Sequence, residues 1–317
     1  MANEKDIAEK TLQSLNDVFA DIANVLLFHG QRRIKEEELE QARSRSAYTG
    51  EKRLREQERD EAKFWHRQQI RISLIGLENE TRPEPDLPLR VIGYDGAGYR
   101  DQLYSLKGKN GKYRRNRNKR YPVVTMVLYF GYEKRWNQAR TLYEVIGKGG
   151  MDEELRPYVN DYKINLFEIA WLTDEQVDMF QSDFRIVADY FVQMRKMGTY
   201  NGSKENIVHV QEVLNLMTYL TKDNRFREAY EEERKGEGIH NMCEVLDRIE
   251  ARGRSAGLEE GRKEGHRKGL EEGQKEGLSA MITALKAFLV TPEEIWNVVI
   301  KNEPYQNVTL QQVKKYF

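Results

Sequence analysis

The sequence lacks the features that mark a secreted, membrane-spanning or thiol-dependent protein. It has one cysteine, Cys243, which rules out an intramolecular disulfide and a zinc site built on several thiolates. Its apolar runs, such as Val25–Phe28, are far shorter than a bilayer span requires. No basic start followed by an apolar segment is present, so no secretory signal is visible. We therefore expect a cytoplasmic protein with no membrane partner.

A net charge is also lacking, because 52 Lys and Arg residues balance 52 Asp and Glu residues. A net charge of zero favours no class of binding partner, so only the distribution of charge along the chain is informative. Hydrophobic residues make up 39% and charged residues 33% of the chain, which indicates a soluble and highly charged protein. A length of 317 residues is sufficient for one or two domains with a substantial core.

Hydrophobic periodicity predicts an α/β core followed by a helical region. The β-branched run Ile70–Leu77 predicts the second strand of a hairpin over 61–80, turning near Arg67–Gln69. Residues 31–60 show no clear period and are interpreted as a loop or a short strand around Ala47–Tyr48. The other predicted elements are helices over 4–29, 89–106, 173–197, 204–220, 223–235 and 240–252, and strands over 121–132 and 165–172. The predicted regions are an α/β core (1–172), an α-helical region (173–252), a charged glycine repeat (253–280) and a small helical C-terminal segment (281–317).

Three carboxylates converge at the end of the predicted hairpin. Glu78 and Glu80 are two residues apart, so on a strand their side chains point to the same face. In a hairpin over these residues, positions whose numbers sum to 138 oppose one another, and Asp60 lies opposite Glu78. Like charges so close repel one another unless a cation lies between them, and Mg²⁺ or Mn²⁺ prefers oxygen ligands of this kind. The alternative is that all three acids are exposed residues of a solvated strand.

The residues around these acids resemble a known family. The stretch IGLENETRPEPDLPLRVIGYDGAGYRDQL, from Ile75 to Leu103, resembles the Rpn family of recombination-promoting nucleases and transposases in the PD-(D/E)XK superfamily. Asp17–Asp21 is similar to the first helix of that family, and Tyr121–Gly131 is similar to a later core strand. The resemblance covers residues 10–280 and adds to the triplet of acids, which alone is a weak signal.

The resemblance implies a restriction-endonuclease-like core, in which helices flank a mixed sheet, and a C-terminal helical region. It implies a Mg²⁺- or Mn²⁺-dependent DNA endonuclease associated with recombination, transposition or phage defence. Asp60, Glu78 and Glu80 would be catalytic. Asp60 and Glu78 would bind the metal, together with the backbone carbonyl of Asn79 and an acid on the first helix, Asp17. For Asp17, an ordinary solvated position on the helix is the alternative.

Glu80 departs from the family pattern, which has glutamine at this position, whereas the wider superfamily has lysine. A carboxylate cannot donate a hydrogen bond unless it is protonated, so it would accept the proton of water or bind metal instead. Activity is therefore in question. The alternative function is that of a catalytically degenerate nuclease fold acting as a DNA-binding or oligomerising module.

A basic segment follows the predicted helix and predicts contact with a nucleic-acid backbone. It contains eight basic residues and no acid, namely Lys107, Lys109, Lys112, Arg114, Arg115, Arg117, Lys119 and Arg120. A solvated loop is the alternative interpretation. Arg90 and Tyr94, one helical turn apart, would contact phosphate or tie the helix to the sheet.

Glycine recurs at every fourth position seven times, from Gly253 to Gly277, with charged residues between. Each glycine costs about 0.8–1 kcal/mol in a helix interior, which exceeds what i,i+4 ion pairs return. We interpret the repeat as a helix that packs against another chain and supports a homo-oligomer. A frayed, solvated spacer is the alternative.

Overall fold

The computed structural model describes residues 12–42, 45–50, 53–68, 70–103, 120–147, 149–233, 236, 238–289 and 291–317. Its contacts divide the chain into two compact units, Met1–Asp247 and Arg248–Phe317. No helix in the described part of the chain combines the length and the apolarity that a membrane crossing requires.

The first unit contains a mixed β-sheet flanked by helices, which confirms the α/β class. Its strands are β1 (Leu39–Gln41), β2 (Arg45–Gly50), β3 (Arg53–Glu58), β4 (Glu61–Arg67), β5 (Ile70–Glu80), β6 (Val123–Tyr129) and β7 (Asn165–Glu168). Its helices are α1 (Asn16–Phe28), α2 (Leu87–Asp101), α3 (Leu142–Ile146), α4 (Asp174–Asp178), α5 (Phe184–Met197), α6 (Val210–Thr221) and α7 (Asn224–Glu233), and α8 (Met242–Leu285) begins here. The five-stranded sheet has the order β1-β4-β5-β6-β7, while β2 and β3 form a separate hairpin.

The hairpin of β4 and β5 has the predicted register. Glu61 pairs with Leu77 and Trp65 with Ser73, so the numbers of paired residues sum to 138. An irregularity between Trp65 and His66 shifts the pairing near the turn, where Gln68 has a positive φ of 48°. Because this shift lies at the closed end of the hairpin, it leaves the register at the other end intact. The end of β5 is therefore placed where the sequence pattern indicates.

β5 lies in the middle of the sheet, antiparallel to β4 and parallel to β6. Six of the seven residues of β6 are buried, as expected for a strand covered on both faces. One face of β5 carries Glu78 and Glu80 and is covered by α2, where Gly98 allows close packing. A Cβ at Gly98 would lie 3.0 Å from Leu74 and 3.1 Å from Val123.

The opposite face of β5 faces the N-terminal helical segment. Gln13 and Asn79 exchange two side-chain amide hydrogen bonds of 3.0 and 2.7 Å across this face. On β4, the buried Lys63 points the same way and donates to Asn16 at 2.6 Å. The sheet therefore separates α1 from α2, with the three acids on the α2 side.

Several predicted boundaries were wrong. The segment 31–60 contains the edge strand β1, which its charge density concealed, and the β2–β3 hairpin, in which β2 confirms the short strand predicted around Ala47–Tyr48. The strand predicted over 165–172 ends at Glu168 and continues as a 3₁₀ turn, Ile169–Trp171. The helix predicted over 173–197 is two helices, α4 and α5. Thr173 caps the first of them by accepting a hydrogen bond from the Gln176 backbone N–H, which confirms the predicted helix start.

In the second unit, α8 continues through the glycine repeat to Leu285 and is followed by α9 (Pro292–Val299) and α10 (Leu310–Lys314). Thr291 caps α9, and proline occupies the first helical position. A small apolar cluster holds these helices together, formed by Leu278, Ile282, Ile295, Val299 and Val313.

The glycine repeat is helical, and it is exposed from Gly253 to Glu276. Three i,i+4 ion pairs form along it, Glu259–Lys263 at 2.6 Å, Glu264–Lys268 at 2.7 Å and Arg267–Glu271 at 2.8 Å. From Gly253 to Gly273, an added Cβ would meet nothing within 4 Å. The packing partner of this stripe, and with it the homo-oligomer, stays a prediction.

Candidate functional site

Acidic side chains lie together at the end of β5, where burial makes a charged carboxylate unfavourable. Glu78 is 2% exposed, and the side chain of Glu80 is 15% exposed. Both lie on the face covered by α2, as their alternation along the strand requires. They therefore do not belong to an exposed, solvated strand.

Asp60 precedes β4 and joins the same site from the neighbouring strand. Its Oδ2 accepts a hydrogen bond of 2.7 Å from the backbone N–H of Asn79, which fixes its carboxylate against the end of β5. The charge of Asp60 raises the pKa of both Glu78 and Glu80, so all three acids share one electrostatic environment. The structure thus brings together the three acids that the sequence singled out.

Arg90 lies at the centre of this cluster. From the first turn of α2, its guanidinium forms ion pairs with Glu78, with Glu80 at 3.0 Å, and with Glu84 in the connection that leads to α2. Tyr94, one turn further along, donates to Oε1 of Glu78 at 3.3 Å. Arg90 and Tyr94 therefore tie the helix to the acidic end of β5, which is one of the two predicted roles.

Burial controls the protonation of the two acids on β5. It raises the pKa of Glu78 well above its usual range, and Asp60 adds to this rise while Arg90 opposes it. Burial also raises the pKa of Glu80 to about 7, against the opposing charge of Arg90 and with a contribution from Glu84. Glu80 therefore titrates near neutral pH, where a carboxyl group can both accept and return a proton.

One oxygen of Glu78 lacks the partner that burial demands. Arg90 and Tyr94 both reach Oε1, whereas Oε2 is buried and has no hydrogen-bond partner among the described residues. A buried polar atom without a partner costs about 1–3 kcal/mol, and such atoms in a native structure are few. The missing partner is the main chemical irregularity of the site.

A second buried network lies beneath the acids, on the same face of the sheet. Arg59, the residue before Asp60, forms an ion pair of 2.9 Å with Asp95 of α2, with side-chain exposures of 5% and 7%. Asp95 also accepts hydrogen bonds from Thr125 of β6, at 2.6 Å, and from Tyr162. The segment that carries Asp60, the helix that carries Arg90 and the neighbouring strand are thereby connected.

Sequence reasoning missed Arg59 and Asp95. A signal for Asp95 exists, because it lies on the buried stripe of α2 between Val91 and Gly98. An acid on the apolar stripe of a helix indicates a buried cation as its partner. A second signal is the glycine at position 76 within the β-branched run Ile70–Leu77, because a glycine in a strand indicates a close approach of another group. That group is the Arg59 side chain, whose Cδ would lie 2.9 Å from a Cβ at Gly76.

The structure does not bring every predicted residue to this site. Asp17 belongs to α1, on the other side of the sheet, and its Oδ2 lies 3.0 Å from Nε2 of His209. Arg120 donates to the backbone carbonyl of Gln102 at the far end of α2. Asn79 does reach the site with its backbone, whose N–H donates to Asp60, while its side chain points to the opposite face. The role of its backbone carbonyl as a metal ligand stays a prediction.

The remaining predicted DNA contacts lie outside the described residues. They are Lys107, Lys109, Lys112, Arg114, Arg115, Arg117 and Lys119. Their role in contacting phosphate stays a prediction.

No metal-binding geometry is preformed in the described part of the chain, which contains no group of three or more His, Cys, Asp or Glu side chains arranged around one ion position. The cation that the acids surround is the guanidinium of Arg90. Two oxygen donors nevertheless suit a hard divalent ion, because Mg²⁺ often binds through one or two carboxylates and keeps several waters. Asp60 and Glu78 are the pair that fits, since the charge of Asp60 acts on Glu78 and Oε2 of Glu78 has no hydrogen-bond partner among the described residues.

Comparison with known proteins identifies no relative, since no family model, no curated protein and no solved structure matches this chain. The fold and the site together define an α/β protein with a buried acidic cluster at the end of a central strand.

Proposed function

We propose that this protein is a Mg²⁺- or Mn²⁺-dependent DNA endonuclease with its active site at Asp60, Glu78 and Glu80. The observation that carries the proposal is the buried Oε2 of Glu78, which has no hydrogen-bond partner among the described residues and belongs to a carboxyl group on which the charge of Asp60 acts. A protein tolerates an irregularity of this cost where function requires it. The resemblance to the Rpn family and the position of the acids at the end of a hairpin in a mixed sheet support a PD-(D/E)XK type of core.

Each acid has a distinct role in this proposal. Asp60 and Glu78 hold the divalent ion, which when bound supplies charge stabilisation and lowers the pKa of bound water. Asp60 is positioned by the Asn79 backbone N–H, and Glu78 by Arg90 and Tyr94. Glu80, with its pKa raised to about 7, accepts a proton from the attacking water at neutral pH. A carboxyl group of this pKa can replace the glutamine or lysine that the resemblance leads one to expect.

The proposed substrate is the phosphodiester backbone of DNA, and the proposed biological role is in recombination, transposition or phage defence. The basic segment Lys107–Arg120 supports an anionic substrate through its composition. It would contact phosphates and not read bases, since nothing in its sequence indicates a recognition helix.

Nicking of supercoiled plasmid DNA tests the proposal directly. Asp60→Ala and Glu78→Ala are expected to abolish Mg²⁺-dependent nicking while circular dichroism shows an intact fold. Asp101→Ala, which removes an exposed carboxylate at the end of α2, is the matched control and is expected to keep full activity. Nicking by both variants at the rate of the unchanged protein would refute the assignment.

A second candidate function is a catalytically degenerate nuclease fold that binds DNA or supports oligomers. The observation that favours it is Arg90, whose guanidinium already neutralises the acidic cluster without a metal. Calorimetric titration with Mg²⁺ and Mn²⁺ separates the two functions. Absence of metal binding, together with salt-dependent DNA binding, would select the second.

A further inference from the structure

The three carboxylates around Arg90 form a graded series from the interior to the surface. Their side-chain exposures are 2% for Glu78, 15% for Glu80 and 35% for Glu84. Glu78 and Glu80 belong to the central strand, whereas Glu84 lies in the connection between Pro83 and Pro85. The Arg90 side chain is itself 36% exposed, so a path to solvent lies beside it.

We infer that Arg90 is the resident cation of this cluster and that its displacement toward Glu84 sets how tightly, and with what charge selectivity, the cluster binds a divalent cation. The inference rests on the function proposed above. A dication held by Asp60 and Glu78 would share the Glu78 carboxylate with the Arg90 guanidinium, which pairs with its Oε1. Two positive charges on one carboxylate repel each other. Arg90 can retreat without losing all of its partners, because Glu84 retains an ion pair at the outer end of the series.

The same geometry explains a preference for dications. A monovalent ion brings the charge that Arg90 already provides, so exchanging one for the other gains nothing electrostatically. A dication brings one more positive charge into a cluster in which Glu78, Glu80 and Glu84 all pair with the single charge of Arg90. Na⁺ and K⁺ are therefore expected to bind far more weakly than Mg²⁺ or Mn²⁺.

Isothermal calorimetry with Mn²⁺ and no nucleic acid tests the inference independently of catalysis. Arg90→Gln is expected to bind Mn²⁺ about tenfold or more tightly than the unchanged protein, because the competing charge is gone. Glu84→Gln is expected to weaken Mn²⁺ binding in the natural background and to have no effect in the Arg90→Gln background. That difference separates an action through Arg90 from the direct loss of a nearby negative charge, which would weaken binding equally in both.

Two outcomes overturn the inference while leaving the proposed function intact. The first is Mn²⁺ binding by Arg90→Gln that is no tighter than that of the unchanged protein. The second is an equal effect of Glu84→Gln in both backgrounds. If Arg90→Gln does not fold, Arg90→Lys serves instead, because a single ammonium cannot bridge the three acids and its Mn²⁺ affinity should exceed that of the unchanged protein. Absence of Mn²⁺ binding in every variant, together with absence of DNA cleavage, overturns the proposed function and the inference with it.

Discussion

Removing one partner of the buried ion pair of Arg59 and Asp95 should lower the free energy of unfolding of the first unit more than breaking any ion pair at its surface. Removing one partner of a buried pair leaves an uncompensated charge and typically costs 3–5 kcal/mol, roughly. Arg59→Met leaves Asp95 with two donors, Thr125 at 2.6 Å and Tyr162, so the expected loss lies at the lower end, about 3 kcal/mol. Asp95→Asn leaves a buried guanidinium without its nearest anion, and we expect a loss of about 4 kcal/mol.

The double variant Arg59→Met, Asp95→Asn isolates the interaction. Its neutral asparagine accepts from one of the hydroxyl groups of Thr125 and Tyr162 and donates its amide N–H to the other, and no buried charge of the pair remains. We expect it to be about 2–3 kcal/mol more stable than the sum of the single losses predicts. Arg225→Met provides the exposed counterpart, because the Arg225 side chain is 65% exposed and its pair with Asp223 should contribute at most about 1 kcal/mol.

Urea unfolding followed by tryptophan fluorescence measures these losses, provided that the signal comes from one unit. The chain has four tryptophans, of which Trp296 belongs to the second unit. A Trp296→Phe background leaves Trp65, Trp136 and Trp171, all in the first unit. Losses below about 1 kcal/mol for both single variants would refute the reasoning, as would strict additivity in the double variant.

Three further changes test other parts of the fold and the site. Burial raises the pKa of Glu80 from 4.5 to about 7, so the folded protein holds this proton more tightly than the unfolded chain does. The protonated carboxyl group therefore stabilises the fold at low pH, and this contribution is lost as the pH rises from about 4.5 through about 7. Glu80→Gln should therefore be more stable than the unchanged protein by about 2–3 kcal/mol in urea unfolding at pH 8, with no advantage at pH 4. Gly76→Ala should cost about 1–3 kcal/mol, because its Cβ would lie 2.9 Å from a pinned Arg59 side chain, whereas Gly96→Ala, with open space around its Cβ, should be neutral or stabilising. Lys63→Met should lower the thermal unfolding midpoint, because it leaves the side-chain oxygen of Asn16 and other acceptors on the α1 side without their donor; an unchanged midpoint would contradict this.

The parts of the structure that were predictable depend on local pattern. The register of the β4–β5 hairpin follows from alternation, because a slip of one residue would exchange the two faces of β5 and move Leu77 and Ile75 to the side of the acids. Thr173 and Thr291 mark helix starts because their side chains act on neighbouring backbone groups. The position of Asp60 opposite Glu78 was predictable for the same reason, since it is a consequence of register.

The parts that were not predictable depend on which face of a helix meets the sheet. By sequence alone, Arg90 could contact phosphate or tie the helix to the sheet. The docking of α2 on β5 shows the tie, and the contact with phosphate stays a prediction. The edge strand β1 was missed because two of its three residues are exposed and polar, as edge strands often are. The Arg59–Asp95 pair joins residues 36 positions apart, a distance at which no periodicity gives a signal.

The two arginines of the site separate its stability from its chemistry. Arg59 is held by Asp95 in the interior, and replacing both partners with neutral groups should restore much of the stability. Arg90 faces acids that repel one another, so its charge is what makes the cluster tolerable in the absence of another cation. Replacing Glu78 by an apolar residue would remove the cost of burying Oε2, which has no hydrogen-bond partner among the described residues. The three acids around Arg90 therefore lower the stability of the fold, and the proposed cation site is a reason for that cost that the Mn²⁺ titration tests.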